Sequence, residues 1–229
     1  MPGDHDKAEA SEPAEHQEDP LVDAVRKAIR ATRISRVAAP DRAKAAALIA
    51  DAIALLEVDV HQGPHCQVGF DLADAGFQSG AAPHQYFPYS PVIGTRNPIA
   101  PPVRFTVEPD KSIRGDVTLT EAYNGPPWNL AHGGVIALLF DELLGVATIE
   151  NHGGGFTGRL TVHYRKPTPI LEPLVLRGWV DHQDGRKAVA KGEISVAATG
   201  VVTAEADGLF ISVGGPLLAN DDAPVSPPP

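Results

Sequence analysis

The sequence predicts an α+β domain in which one antiparallel sheet curls around a single central helix, with a helical extension ahead of it. Three observations carry that expectation. Between residues 103 and 213, several stretches alternate apolar and polar side chains as strands do. Within them, LAHGGVIALLFDELLG (Leu130–Gly145) opens a helix that is apolar on nearly all sides, the pattern of a helix buried all round. Asp184-Gly185 then joins two long strand-like runs, and Asp-Gly is a strong hairpin signal. Two strands, one helix and four strands joined by hairpins make an α+β domain.

The bulk properties bound the rest. A chain of 229 residues holds one sizeable domain plus appendages. A net charge of −10 argues against a general nucleic-acid binder, which wants a basic surface, while leaving room for a local basic pocket. Cys66 is the one cysteine, so no intramolecular disulfide can form and a reducing compartment fits. The start, MPGDHDKAEASEPAEHQEDP, is polar and acidic, unlike a secretory signal. No run approaches the roughly 18 apolar residues of a membrane span. A soluble, cytoplasmic protein is expected.

Taken in order, residues 1–19 read as a disordered acidic tail. Residues 20–57 read as a helical extension. Asp19-Pro20 supplies an N-cap and a first-turn proline, and Leu21, Val25, Ala28 and Ile29 recur at helical spacing. Ala39-Pro40-Asp41 interrupts, and Ala47, Leu48, Ile49, Ile53, Leu55 and Leu56 form a second apolar helix. A helical hairpin packed on the main domain is expected. Residues 58–102 form a Pro-, Gly- and aromatic-rich arm, anchored by Phe70, Phe77, Tyr86, Phe87 and Tyr89. His61, His65 and Cys66 lie close together there, but Gly63-Pro64 breaks any helix that could align them, so no metal is assigned.

From residue 103 the strands sharpen: VRFTVE, SIRGDVTLT, GRLTVHYR, then runs near 173–182, 186–198 and 201–213. Strand alternation puts Leu160, Val162 and Tyr164 on one face, with Arg159, Thr161, His163 and Arg165 on the other. The turn-rich EAYNGPPWNLA leads into the helix. Residues 214–229 read as a disordered Pro-rich tail.

Asp141 is the anomaly of the central helix. Its stripe is Gly134, Ala137, Leu138, Asp141, Gly145 and Thr148, mostly small residues, leaving room for a ligand or a partner backbone. Gly145 costs roughly 1 kcal/mol of helix stability relative to alanine, which suggests a use for the missing side chain. His132-Gly133-Gly134 opens the helix, where free N–H groups carry partial positive charge and can hold an oxyanion. His132 and Asp141 face opposite ways and are separated by roughly 13 Å along the axis. If both act on one atom, they come from two subunits, so a site shared across a dimer is expected. A helix apolar all round also needs a second layer, which the domain does not supply itself.

His132-Gly133-Gly134, six residues and then Asp141 resemble the hotdog-fold acyl-CoA thioesterases, closest to the phenylacetyl-CoA type and the mammalian-type superfamily members. The resemblance covers about residues 100–213 and extends through Tyr164-Arg165-Lys166-Pro167, Asp184-Gly185-Arg186-Lys187 and Phe210-Ile211. It implies the hotdog fold, a homodimer or dimer of dimers, and hydrolysis of an acyl-CoA thioester without a cofactor. It also implies roles. Asp141 is the catalytic acid, as general base or nucleophile. The Gly133 N–H polarises the thioester carbonyl, with His132 beside it and Gly134 lining the approach. Thr157 orients water or the acid. Arg165, Lys166, Arg186 and Lys187 are candidates for the CoA phosphates. Many relatives carry Asn or Gln six residues before the histidine; here that position is Pro126, which has no donor. A hotdog hydratase or dehydratase and a non-catalytic acyl-CoA sensor or scaffold are the alternatives.

Overall fold

The computed structural model describes residues 19–60, 83, 87–101, 103–126 and 128–212. Expectations for the two tails beyond these, for His61, His65 and Cys66, and for Phe70, Phe77 and Tyr86 lie outside the described residues.

Helix α1 (Pro20–Ile34) begins as its sequence requires: the Asp19 carboxylate accepts from the Leu21 N–H at 2.8 Å, and Pro20 occupies the first turn. Val22 is buried, and the Arg30 guanidinium grips Glu121 through two hydrogen bonds of 2.7 and 3.0 Å. Those bonds hold the Glu121 carboxyl down at about 2. Helix α2 (Ala39–Leu56) departs from expectation. Pro40 lies in its first turn rather than in a break, because a first-turn residue has no helical acceptor for its N–H. More importantly, none of its residues is buried, so the expected packed hairpin holds for α1 alone.

Residues 87–101 fold as successive turns on the domain. The anchor is aliphatic more than aromatic: Val92 and Ile93 are buried in the core, whereas Phe87 is only partly buried against it. Tyr89 instead lies beneath the Arg96 guanidinium, 6.0 Å from the ring centre.

Strands β1 (Arg104–Val107) and β2 (Ile113–Thr118) are followed by a 3-10 turn (Glu121–Tyr123) and a two-stranded ribbon of β3 (Asn124–Gly125) and β4 (Leu130–Ala131). That ribbon occupies the stretch read as a turn-rich loop; its strands are too short for alternation to register. Helix α3 (Gly133–His152) follows, and Gly153, at φ 72°, stops it in the left-handed conformation that favours glycine. β5 (Phe156–Tyr164), β6 (Pro173–Asp184), β7 (Lys187–Val196) and β8 (Val202–Ile211) complete the chain. The six long strands form one antiparallel sheet in the order β1-β2-β6-β7-β8-β5.

The core lies between α3 and the inner face of this sheet. Leu139, Phe140, Leu143 and Leu144 of the helix are fully buried against Leu176, Ile194 and Phe210 of the strands. Glycines allow the close approach. Gly178 and Gly192 face each other across β6 and β7, and a Cβ on Gly178 would fall 2.7 Å from Leu143 Cγ. The two sheet edges are β1 and β5, and every residue of β5 is exposed or half-buried.

Candidate active site

The helix start is built by its own histidine. His132 is the N-cap of α3, and its Nδ1 accepts from the Gly134 N–H at 3.0 Å. That bond leaves the ring's proton on Nε2 when the ring is neutral. The Gly134 N–H is thereby occupied, while the Gly133 N–H has no acceptor among the described residues. The Gly133 carbonyl accepts from the Tyr164 hydroxyl at 2.8 Å. The sequence assigns Tyr164 no role; its place on the Leu160 and Val162 face is the signal it offers. Asn124 gives no help to an oxyanion: its amide donates to the carbonyls of Trp128 and Leu130 and braces the ribbon.

Asp141 lies on the open side of α3. Ile136, Leu139, Phe140 and Leu143 on the other faces are buried, whereas Gly134 and Leu138 are exposed and Ala137, Asp141 and Gly145 half-buried. Thr148, one turn further, departs from this stripe: it is buried, its hydroxyl donating to the Leu144 carbonyl at 2.8 Å. Thr157 Oγ1 donates to Asp141 Oδ1 at 2.9 Å, so sixteen residues of chain separate two groups in direct contact. Among the described residues, Asp141 Oδ2 has no partner and faces an open side.

Thr157 reaches the acid through a register shift. Leu160, Val162 and Tyr164 pair with Gly208, Ala206 and Ala204, whose side of β8 is buried. Simple alternation would put Thr157 on the other face, with Arg159 and Thr161. A bulge between Thr157 and Arg159 sets Thr157 opposite buried Phe210 instead, turning its hydroxyl toward the helix.

Glu142, one step round α3, points away from Asp141. It is half-buried and accepts from Ser90 Oγ at 2.7 Å, and burial pushes its carboxyl up against the opposing pull of that bond. Ser90 Oγ also accepts from the N–H groups of Val92 and Ile93, at 3.0 and 3.2 Å. This polar knot clamps the 87–101 segment beside Asp141. No sequence motif marks it, because its partners are 52 residues apart.

The four basic candidates do not form one cluster. Arg165 and Lys166 both donate their backbone N–H to Thr203 at the start of β8, and the Arg165 guanidinium pairs with Glu205 at 2.6 Å. Lys187 pairs with Ile211 at the far end of the same strand, and Arg186 accepts from Ser212 there. Eight residues of β8 separate the groups, roughly 26 Å of extended chain. Within one chain these residues fall into two groups: Gly133, Tyr164, Arg165 and Lys166 toward one end of β8, and Asp141, Thr157, Arg186 and Lys187 toward the other. No His, Cys, Asp and Glu cluster among the described residues could hold a metal ion, and no helix among them is long and apolar enough to cross a membrane.

Comparison with known proteins agrees with this architecture. A family model described as the thioesterase superfamily matches residues 129–203, which include α3 and β5. The chain is 33% identical over 89 residues to the acyl-coenzyme A thioesterase THEM4 of Xenopus laevis, covering 39% of this chain and 40% of that protein. It is 32% identical over 82 residues to the mouse protein of the same name, covering 36% of this chain and 35% of that one. The chain thus spans well under half the length of the curated relatives it matches. A crystal structure of a thioesterase superfamily protein superposes with a TM-score of 0.69 at 36% identity, over 88% of this chain and 94% of that one. A helix wrapped by an antiparallel sheet, shared with a relative over nearly its whole length, places this chain in the thioesterase superfamily of hotdog fold.

Proposed function

We propose that this chain is an acyl-CoA thioesterase whose site is shared by two subunits. One observation carries the reading: on the open stripe of α3, the Asp141 carboxylate is held at one oxygen by Thr157 and free at the other. A carboxylate oriented in this way can accept a proton from a water molecule. The names of the THEM4 relatives supply the substrate class.

In this reading the thioester carbonyl lies against the Gly133 N–H of one subunit, at the positive end of the helix, with the His132 Nε2–H beside it. Asp141 of the other subunit takes a proton from water, and the hydroxide adds to the carbonyl carbon. The carbonyl oxygen carries the charge in the tetrahedral intermediate, held by the Gly133 N–H. The carbon–sulfur bond then breaks, and the CoA thiolate takes the proton back from Asp141. Direct attack by the carboxylate, followed by hydrolysis of a mixed anhydride, uses the same geometry. Arg165 and Lys166 of one subunit and Arg186 and Lys187 of the other approach the CoA phosphates from two directions. Gly134 supplies space only, since its N–H is occupied by His132.

Thiol release from a panel of acyl-CoAs tests the proposal. The parent hydrolyses at least one class, and Asp141→Asn loses activity by about 100-fold or more, the range of a lost general base. Tight CoA binding with no turnover, or an Asp141→Asn variant as fast as the parent, overturns it.

A further inference from the structure

Among the described residues, three that are not glycine hold a positive φ: Lys111 at 62°, Trp128 at 67° and Leu171 at 63°. Lys111 turns the β1–β2 hairpin, its N–H donating to the Glu108 carbonyl at 2.8 Å. The other two lie together. β4 runs antiparallel to residues 168–170: the Ala131 N–H donates to the Thr168 carbonyl at 2.8 Å and the Ile170 N–H to the Asn129 carbonyl at 3.1 Å, with Leu130 opposite Pro169. Trp128 and Leu171 follow, one residue beyond Asn129 and Ile170. A bulky side chain on left-handed backbone is strained, and such strain persists only where the surroundings enforce it. Here the Asn124 amide holds the Trp128 carbonyl, and the Leu171 N–H donates to the Leu119 carbonyl at 2.8 Å.

Both strained side chains face solvent, Trp128 at 81% exposure and Leu171 at 46%. Alternation gives the side. Thr168 and Ile170 are buried and Ala131 packs on the core, so Leu130, Pro169 and Leu171 lie outward. Residues 124–131 and 167–171 carry no charged side chain. The result is an apolar strip of Trp128, Leu130, Pro169 and Leu171 that runs into His132 and Gly133, the residues set against the thioester carbonyl above.

Two substituents leave that carbonyl. The CoA side carries phosphates and calls for cations, which the strip lacks, whereas an acyl chain is apolar and calls for none. Trp128 precedes Gly133 by five residues, at most roughly 16 Å of extended backbone. At about 1.2 Å per extended bond, an acyl chain of about a dozen carbons spans that length.

We propose that this strip is the track of the acyl chain and that Trp128, with Leu171 at the same end, selects long aliphatic chains. The inference rests on the thioesterase reading and adds the class of acyl group to it.

Rates on acetyl-, hexanoyl- and dodecanoyl-CoA test it. A fully covered methylene raises kcat/KM by about fourfold, and one on a strip open at one side by about twofold, so the parent should prefer dodecanoyl-CoA. Trp128→Ala should lower kcat/KM for dodecanoyl-CoA by about tenfold or more and leave acetyl-CoA within about twofold. Trp128→Gly should lose the same preference while its thermal midpoint equals or exceeds the parent's, because glycine takes a positive φ without strain. A parent indifferent to chain length, or a Trp128→Ala loss equal on short and long substrates, overturns the proposal. So does a Trp128→Ala variant that changes the sedimenting mass and keeps the chain-length preference, which would put a second copy on the strip. If the parent hydrolyses no acyl-CoA, the thioesterase reading fails and binding tests the strip. Trp179→Phe leaves Trp128 as the sole tryptophan. Its emission should shift to the blue with the dodecyl thioether of CoA and not with the methyl thioether; an equal response to both overturns the proposal.

Discussion

Replacing Thr157 with valine removes one hydroxyl and keeps the shape of the side chain. The lost bond is the 2.9 Å donation to Asp141 Oδ1. A hydrogen bond to a charged group contributes about 1.5–3 kcal/mol when sheltered. Thr157 is exposed on an edge strand and Asp141 is half-buried, so about 1–2 kcal/mol is the appropriate range. If the bond orients the carboxylate during the reaction, kcat falls by about 5- to 30-fold. KM should change little, because Thr157 is placed to hold the acid and not the acyl-CoA. Valine suits a strand, so the unfolding free energy read from urea denaturation should change by no more than about 0.5 kcal/mol. Thr157→Ser keeps the hydroxyl and should recover most of the rate. The assay is steady-state thiol release on the best acyl-CoA for the parent. A Thr157→Val variant with parental kcat, or one whose loss lies wholly in KM, refutes the assignment of Thr157 as the residue that positions Asp141.

Two further outcomes follow from the packing around α3. Burial raises the Glu142 carboxyl, so the folded state binds a proton more tightly than the unfolded one; stability should therefore fall as pH rises from the ordinary glutamate value through the raised one. Glu142→Gln keeps an acceptor for Ser90 and should flatten that part of the urea midpoint against pH above the ordinary glutamate value; an equally steep profile in the variant would show that another group is responsible. Gly178→Val places a Cβ 2.7 Å from Leu143 Cγ, so it should destabilise the domain by about 1–3 kcal/mol or more, read from urea unfolding. A variant as stable as the parent would mean that α3 can move off the sheet freely.

The sequence by itself determined the repeating parts. Apolar alternation, Asp184-Gly185 and the apolar run after His132 located the long strands and α3, because backbone geometry imposes periods of two and 3.6 wherever one face is buried. Asp141 stood out for the same reason, as a charge inside a helical apolar pattern. The tertiary structure decided what no local period encodes. A bulge reverses the face of Thr157 and carries it to Asp141, against the alternation of its own strand. Burial and a serine 52 residues away settle Glu142. Strand pairing sends the two basic pairs to opposite ends of β8, although both looked alike as charges near strand ends. The helical extension shows the limit most plainly: α1 and α2 both read as helices, but among the described residues α1 buries Val22 and α2 buries none of its own. Periodicity reports that a face wants burial, and only the folded arrangement of distant residues says what buries it.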